Sequence, residues 1–512
     1  MSTDDETTKD WLVKLLSDSD IGPMVREHLG LAEILALSHS CKIFHELMEA
    51  NTTRARTAWL DAKAKVDERQ RLGSEERHLD VLSVCARNAA STGYLLMLAY
   101  LHERGSPWDE TVCMYAAAGH LDCLKYAHEN GCPWDKRTCN IAAGTGQLDC
   151  LQYAHENNCP WDKYTCDTAA EYGHLACLHY LHENGCSWYW MTCVKAAAAG
   201  HLDCLQYAHE HGCPWDVQTC REAARFGRLD CLQYAHEHGC PWDKDTCYHA
   251  ANGRFACLQY AHEHGCPWNE TTCYHAAVTG HLDCLQYAHK NGCPWDIETC
   301  REAARYGCLD CLQYAHKHGC PWDKWTCSNA AINGHLPCLQ YAHEHGCPWD
   351  GETCFYAALH GRFACLQYAH QHGCPWDAWT CVWAAKNGHL DCLQYAHQHD
   401  CPWNETTCVQ AAANGKLVCL QYAHEHGCPW DEWTCRQAAA NGHLDCLQYA
   451  HENGCPWNEA TCSVAAENGH LDCLQYAHEN GCPWDEATCV QAALHGNLAC
   501  LLYLRDNNCP SP

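Results

Sequence analysis

Residues 461–484 read TCSVAAENGHLDCLQYAHENGCPW, and this phrase recurs from about residue 81 to residue 512 with a period of 27 residues. The tryptophans that close successive copies fall at Trp134, Trp161, Trp188, Trp215 and Trp242. A one-residue deletion then brings the next to Trp268, after which the step of 27 holds to Trp484. A period of roughly 20–50 residues marks a stacked array in which each unit packs only on its neighbours. Arrays of this kind recognise partners and seldom catalyse.

Within one unit, the residue types place two helices. Asn458 follows the Pro-Trp pair and can cap the N-terminus of a first helix running from Glu459 to about Glu467. Ala465 and Ala466 are small enough for close packing. Gly469 supplies the left-handed residue that ends the helix. A second helix runs from about Leu471 to Asn480, stops at Gly481, and cannot continue through Pro483. On a helical wheel Leu471, Cys473, Leu474, Ala477 and His478 share one arc, opposite Asp472, Gln475 and Glu479. No segment alternates with the period of a strand. The expected fold is all-α, a stack of helix pairs.

These residues resemble the ankyrin repeat family. GHLDCLQYAHENGC at 469–482 corresponds to the family's GHLEVVKLLLEAGA, and Thr461 with Ala465-Ala466 corresponds to its TPLHLAA opening. The resemblance spans residues 81–512, about 16 units including degenerate ends. It implies an ankyrin-like α-solenoid with a small N-terminal helical head, and a target protein as partner. Three features depart from the family pattern. The first helix is shorter, Pro-Trp-Asp replaces the longer hairpin finger, and Cys462 stands where the family has proline. Shortened units of this kind resemble arrays multiplied in large DNA viruses and some protists, which implies a virus–host setting.

Composition narrows the partners. The net charge is -30, and no lysine or arginine stripe runs through the units, so nucleic acid and anionic membrane are disfavoured. No apolar run reaches the roughly 18 residues of a membrane span. The opening MSTDDETTKD is acidic and does not read as a secretory signal. A cytoplasmic or nuclear location is expected.

The 48 cysteines obey the repeat, three per unit, as at Cys132, Cys139 and Cys150. Cys150 and Cys159 lie ~13 Å apart along a continuous helix, too far to bridge. Equivalent cysteines of stacked units are expected ~8–10 Å apart, again beyond bonding range. They are expected to be small buried hydrophobes in a reducing compartment. Cys231, His236, His238 and Cys240 invite comparison with a zinc site. However, Cys231 and His236 differ by about 140° on a helix, and His238 lies ~10 Å from Cys231. Asn130 and Asn480 also replace the second histidine in other units. No metal and no cofactor are expected. In the last unit Arg505 replaces the recurring histidine, the substitution a solvated end requires. The histidines therefore read as a ladder between units.

Comparison among the units separates scaffold from surface. Variation concentrates in the two residues after Trp-Asp and the two after Thr-Cys. These positions carry many aromatics: Tyr164, Trp190, Trp325, Trp379 and Trp433 at the first, and Tyr248, Tyr274, Phe355, Tyr356 and Trp383 at the second. Exposed aromatics favour interface anchoring, so these ten are the candidate protein-binding residues, densest from Trp325 to Trp433. In the ankyrin arrangement they lie on the concave side. The periodic Pro-Trp tryptophans are expected to pack between units instead.

The head, residues 1–50, lacks the repeat, and a charged helical linker is expected over 51–80. LSDSDIGPMVREHLGLAEILALSHSCKIFHEL at 16–47 has helix-like apolar spacing and resembles the F-box. The matching positions include Leu16, Ile21, Val25, Leu29, Leu31, Leu35 and Phe44. That resemblance implies docking on the small Skp-type adaptor of a cullin–RING ubiquitin ligase, with the array holding a substrate. No glycine-rich phosphate loop, nucleophile elbow or His-Glu-x-x-His motif is present, so no enzymatic activity is expected. A plain scaffold that sequesters its target and a metal- or redox-buffering protein are the alternatives.

Overall fold

The computed structural model describes residues 75–510. Among the described residues there are 32 helices and no strand. The chain divides into two compact bodies at Pro241–Trp242. The first opens with the 18-residue helix Glu75–Thr92 and the helix Leu95–Glu103, followed by five helix pairs ending in Leu229–Glu237. The second holds ten pairs, from Lys244–Ala250 with Phe255–Glu263 to Glu486–Leu494 with Leu498–Asp506. Within each body, the first helix of a pair packs on the first helix of the next, and second helices do likewise. No described helix is long and apolar enough to cross a membrane.

Each pair is specified locally. The expected helix Glu459–Glu467 is found with those bounds, and the second runs Leu471–Glu479. Asn458 caps the first by accepting the Ala460 N–H at 3.1 Å, as Asp323 accepts that of Trp325 at 3.1 Å. Thr461, Cys462, Ala465 and Ala466 are buried on the first helix, and Cys473, Leu474 and Ala477 on the second. The small residues let helices approach closely. Leu474 of this second helix fills the space between pairs and is fully buried, as are Leu447 and Leu420 in the units before it. Its removal from water stabilises the stack by about 2 kcal/mol per unit.

The second helix ends in a tight reversal. Cys482 N–H reaches back to the Ala477 carbonyl at 2.9 Å, and Gly481 holds φ +84°. Three units hold the same left-handed turn without glycine, at Asn158, Asp400 and Asn508. First helices are elsewhere nine or ten residues long, but Glu110–Ala116 and Lys244–Ala250 have seven. Both lie in units whose tryptophans are 26 residues apart, so the missing residue is taken from the end of the first helix.

Candidate protein-binding face

Successive units meet at a repeated aromatic node. The His128 ring lies flat on Trp134, with centroids 3.8 Å apart. Tyr153 of the next pair meets both rings edge-on, and its hydroxyl is hydrogen-bonded to His128 Nδ1 at 3.0 Å. The arrangement recurs at His343, Trp349 and Tyr368 and at His478, Trp484 and Tyr503. The histidine ladder and the inter-unit packing of the tryptophans are both present. The histidines are half-buried rather than buried, because their outer edge faces solvent. Burial lowers the pKa of His343, and the neighbouring His372 lowers it further, with rings 5.2 Å apart.

A second column of contacts had no signal in the spacing. His174 reaches back to the preceding pair, where its Nε2 is hydrogen-bonded to the Gly144 carbonyl at 3.0 Å. Its ring lies so close to Gly146 that a Cβ there would fall 2.5 Å from Nδ1. In other units Arg228, Arg362 and Asn497 take the place of histidine and hydrogen-bond to carbonyls of the preceding first helix. These second helices therefore begin by capping the first helix behind them.

The cysteines are buried as expected, and their thiols also donate hydrogen bonds. Cys159 Sγ donates to the Asp135 carbonyl at 3.3 Å, and Cys139 Sγ to the Cys159 carbonyl at 3.9 Å. These weak bonds tie the Pro-Trp turn to the start of the preceding first helix. Burial pushes Cys150 up to about 11 and Cys338 to about 12, so both are protonated thiols at neutral pH and poor nucleophiles. Among the described residues, no three His, Cys, Asp or Glu side chains converge as a metal site would require.

The variable aromatics lie along one side of the first helices. Tyr164, Trp190, Trp379 and Trp433 are exposed, the last two by 54% and 46%. Tyr248, Tyr274, Trp325, Phe355, Tyr356 and Trp383 are half-buried. Four of them form a chain across three helices. Trp325 lies 6.3 Å from Tyr356, Tyr356 lies 5.0 Å from Phe355, and Phe355 lies 6.0 Å from Trp383. Tyr248 stacks instead on His275 at 4.0 Å, and Tyr164 meets Tyr189 edge-on. Several rings carry the chain's own cations: Lys163 sits 4.2 Å from Tyr189, Lys386 4.2 Å from Trp383, and Arg436 4.5 Å from Trp433. The F-box-like positions Leu16, Ile21, Val25, Leu29, Leu31, Leu35 and Phe44 lie outside the described residues.

A family model described as ankyrin repeats in many copies matches residues 193–236 and 354–397. No curated protein matches the chain. Among solved structures, the human ASB11 ankyrin repeat domain is similar at 19% identity and TM-score 0.28, over 30% of this chain and 84% of that one. The pentatricopeptide repeat protein PPR10, solved in complex with an 18-nucleotide RNA element, is similar at 14% identity and TM-score 0.34. That match covers 94% of this chain and 80% of the other. Each matched segment begins within a first helix, at Cys193 and at Cys354, and runs through the following pair. Over those two segments the chain is similar to ankyrin repeats.

Proposed function

We propose that this protein is a substrate-recruiting subunit of a cullin–RING ubiquitin ligase, acting in the cytoplasm or nucleus. The array holds the target through Tyr164, Trp190, Trp325, Trp379, Trp433 and their neighbours, and the head over residues 1–50 docks on a Skp-type adaptor. The exposure of Trp379 and Trp433 supports the target-holding half of this reading. Large uncovered aromatics raise the free energy of an isolated surface and lower it when a partner covers them. The adaptor half rests on the F-box-like residues of 16–47.

Copurification of the full chain with a Skp-type adaptor tests that half. Recovery of adaptor and cullin with the intact chain, abolished by Leu29→Asp and Leu35→Asp, supports the recruiter. If no adaptor is recovered while a target still binds, the protein is a sequestering scaffold. The Cys-rich interior favours that second reading no less, since it needs only a reducing compartment.

A further inference from the structure

Cys308 stands outside the pattern that the other cysteines of the array follow. Residues 299–311 read TCREAARYGCLDC, so Cys308 and Cys311 are three residues apart, the closest spacing between cysteines in the sequence. Other units carry histidine, arginine or asparagine at the position of Cys308, as at His335, Arg362 and Asn497. Cys308 is the N-cap of the nine-residue helix Leu309–Lys317, and its carbonyl accepts the Leu312 N–H at 3.0 Å. Residues three apart on a helix have Cα atoms ~5 Å apart, within the span of a disulfide. The separations that exclude bridges among the periodic cysteines therefore do not apply to this pair.

The two thiols also share surroundings. Cys308 Sγ donates to the Val278 carbonyl of the preceding first helix at 3.8 Å, and a Cβ on Gly280 would lie 3.1 Å from it. Cys150 and Cys284, which hold the place of Cys311 in other units, lie against the backbone of Gly119 and Gly253, and Gly280 is the glycine that corresponds to these. Both sulfurs thus border one residue. Burial, and then the Cys308 sulfur beside it, pushes the Cys311 thiol up to about 12. Cys308 is half-buried and Cys311 is buried, so a reagent in solvent reaches the first and not the second. Among the described residues no third ligand completes a metal site around them.

We propose that Cys308 and Cys311 form a redox-modification site, a dithiol that exchanges with a low-molecular-weight disulfide of the glutathione class and closes to an intramolecular bridge. The Cys308 thiolate attacks one sulfur of the reagent, forming a mixed disulfide and releasing a thiolate, which takes up the proton that Cys308 gave up. Cys311 then loses its proton and attacks the Cys308 sulfur, forming the Cys308–Cys311 bond and releasing the second reagent thiol. The pair loses two electrons and two protons, and the reagent disulfide becomes two thiols. Turning Cys308 toward Cys311 withdraws its S–H from the Val278 carbonyl, so oxidation also releases the cap that ties this second helix to the first helix behind it. Burial raises the pKa of both thiols, which makes the exchange slow at neutral pH.

The test incubates the reduced full chain with oxidised glutathione at about pH 8, where more thiolate is present, alkylates the remaining thiols in denaturant, and maps the products by mass spectrometry. A peptide holding both residues, unalkylated and lighter by two hydrogens, should accumulate, and dithiothreitol should restore both thiols. Cys311→Ser removes the resolving thiol and should raise the glutathione adduct at Cys308 by about tenfold or more over the native chain. Cys308→His installs the side chain found at His335 and should abolish the bridge with melting unchanged. Three results would each overturn the inference. One is a stable glutathione adduct at Cys308 in the native chain. Another is a bridge from Cys308 to Cys338, whose pKa Cys308 also raises. The third is no reaction at Cys308 while the half-buried Cys85 is modified.

Discussion

His478 Nδ1 and the Tyr503 hydroxyl stand 2.9 Å apart, joining two successive helix pairs, and the same bond recurs between residues 25 apart along each body. His478 is held flat by Trp484 of its own unit, with its Nδ1 turned toward the tyrosine of the next. A node of this kind converts a local stack into an inter-unit bond; His397 is stacked on Trp403 without it, and the Tyr422 hydroxyl is buried with no partner. Arg505, which replaces the histidine in the last unit, is exposed and pairs with Asp506 at 3.0 Å. The polar exchange is confined to that position, because Leu494, Leu498 and Leu502 of the same unit remain exposed.

The node should be separable into its parts. Tyr368→Phe removes only the hydroxyl that meets His343 and should cost about 1 kcal/mol. Trp349→Ala removes the surface on which His343 lies and should cost about 2 kcal/mol or more. Urea unfolding of the two variants, followed by circular dichroism, checks the order. Equal losses would mean that the tyrosine hydroxyl, and not ring packing, carries the node.

Acid should loosen the stack. Burial lowers the pKa of His182, His209, His289, His316, His343, His370 and His397, and the second histidine beside each lowers it further. Unfolded histidines bind protons near about pH 6.5, whereas these do so only at lower pH. Between the two values the unfolded chain holds more protons. The stabilisation is therefore complete above about pH 6.5 and is lost as pH falls through the folded values. His343 faces Trp349, Tyr368, His372 and Glu344, and only Glu344 opposes the shift. Calorimetry should give a lower melting temperature at pH 5 than at pH 7.5, with a smaller drop in His372→Asn.

Thiol reactivity should follow burial. Cys85 and Cys308 are half-buried, and the other described cysteines are buried. Burial also raises the pKa of Cys308, so even this thiol should react slowly at pH 7. Titration with a disulfide reagent should therefore label few thiols in the native protein and all 48 in denaturant. Rapid native labelling of most thiols would show that the interior opens freely.

Within a single unit almost everything was legible in the sequence. Asn458, Gly469, Gly481 and Pro483 fix helix ends through backbone chemistry that acts over a few residues, so the bounds of Glu459–Glu467 followed directly. The contacts between units were less accessible. Cys159 with Cys139, His174 with Gly144 and Tyr153 with His128 join residues 20 to 30 apart. Which of them meet depends on how one helix pair is turned against the next, and a repeat period carries no information about that angle. The same limit applied to the aromatics. Their variability marked a surface, but only the packing separated exposed Trp379 from Phe355, which is partly spent on Trp383.

The two kinds of glycine position should respond oppositely to substitution. Asp400 holds φ +62° in a turn where most units have glycine, and the Tyr422 hydroxyl that should meet His397 is buried without a partner. Asn158 holds the same turn at φ +65°, yet its node keeps the bond between His155 and Tyr180 at 3.0 Å. An aspartate in the left-handed region is strained, and the carboxylate beside the histidine adds a charge that asparagine lacks. Asp400→Gly should relieve the turn, let Tyr422 reach His397, and stabilise the protein by about 1 kcal/mol. Gly442→Ala should do the reverse. Gly442 also has positive φ, +73°, and an added Cβ would sit 2.5 Å from the His470 ring. The loss should exceed about 1–2 kcal/mol, since backbone strain and the displaced histidine add. Paired denaturation curves decide it: a destabilised Asp400→Gly would mean that the aspartate holds its turn through a contact glycine cannot make.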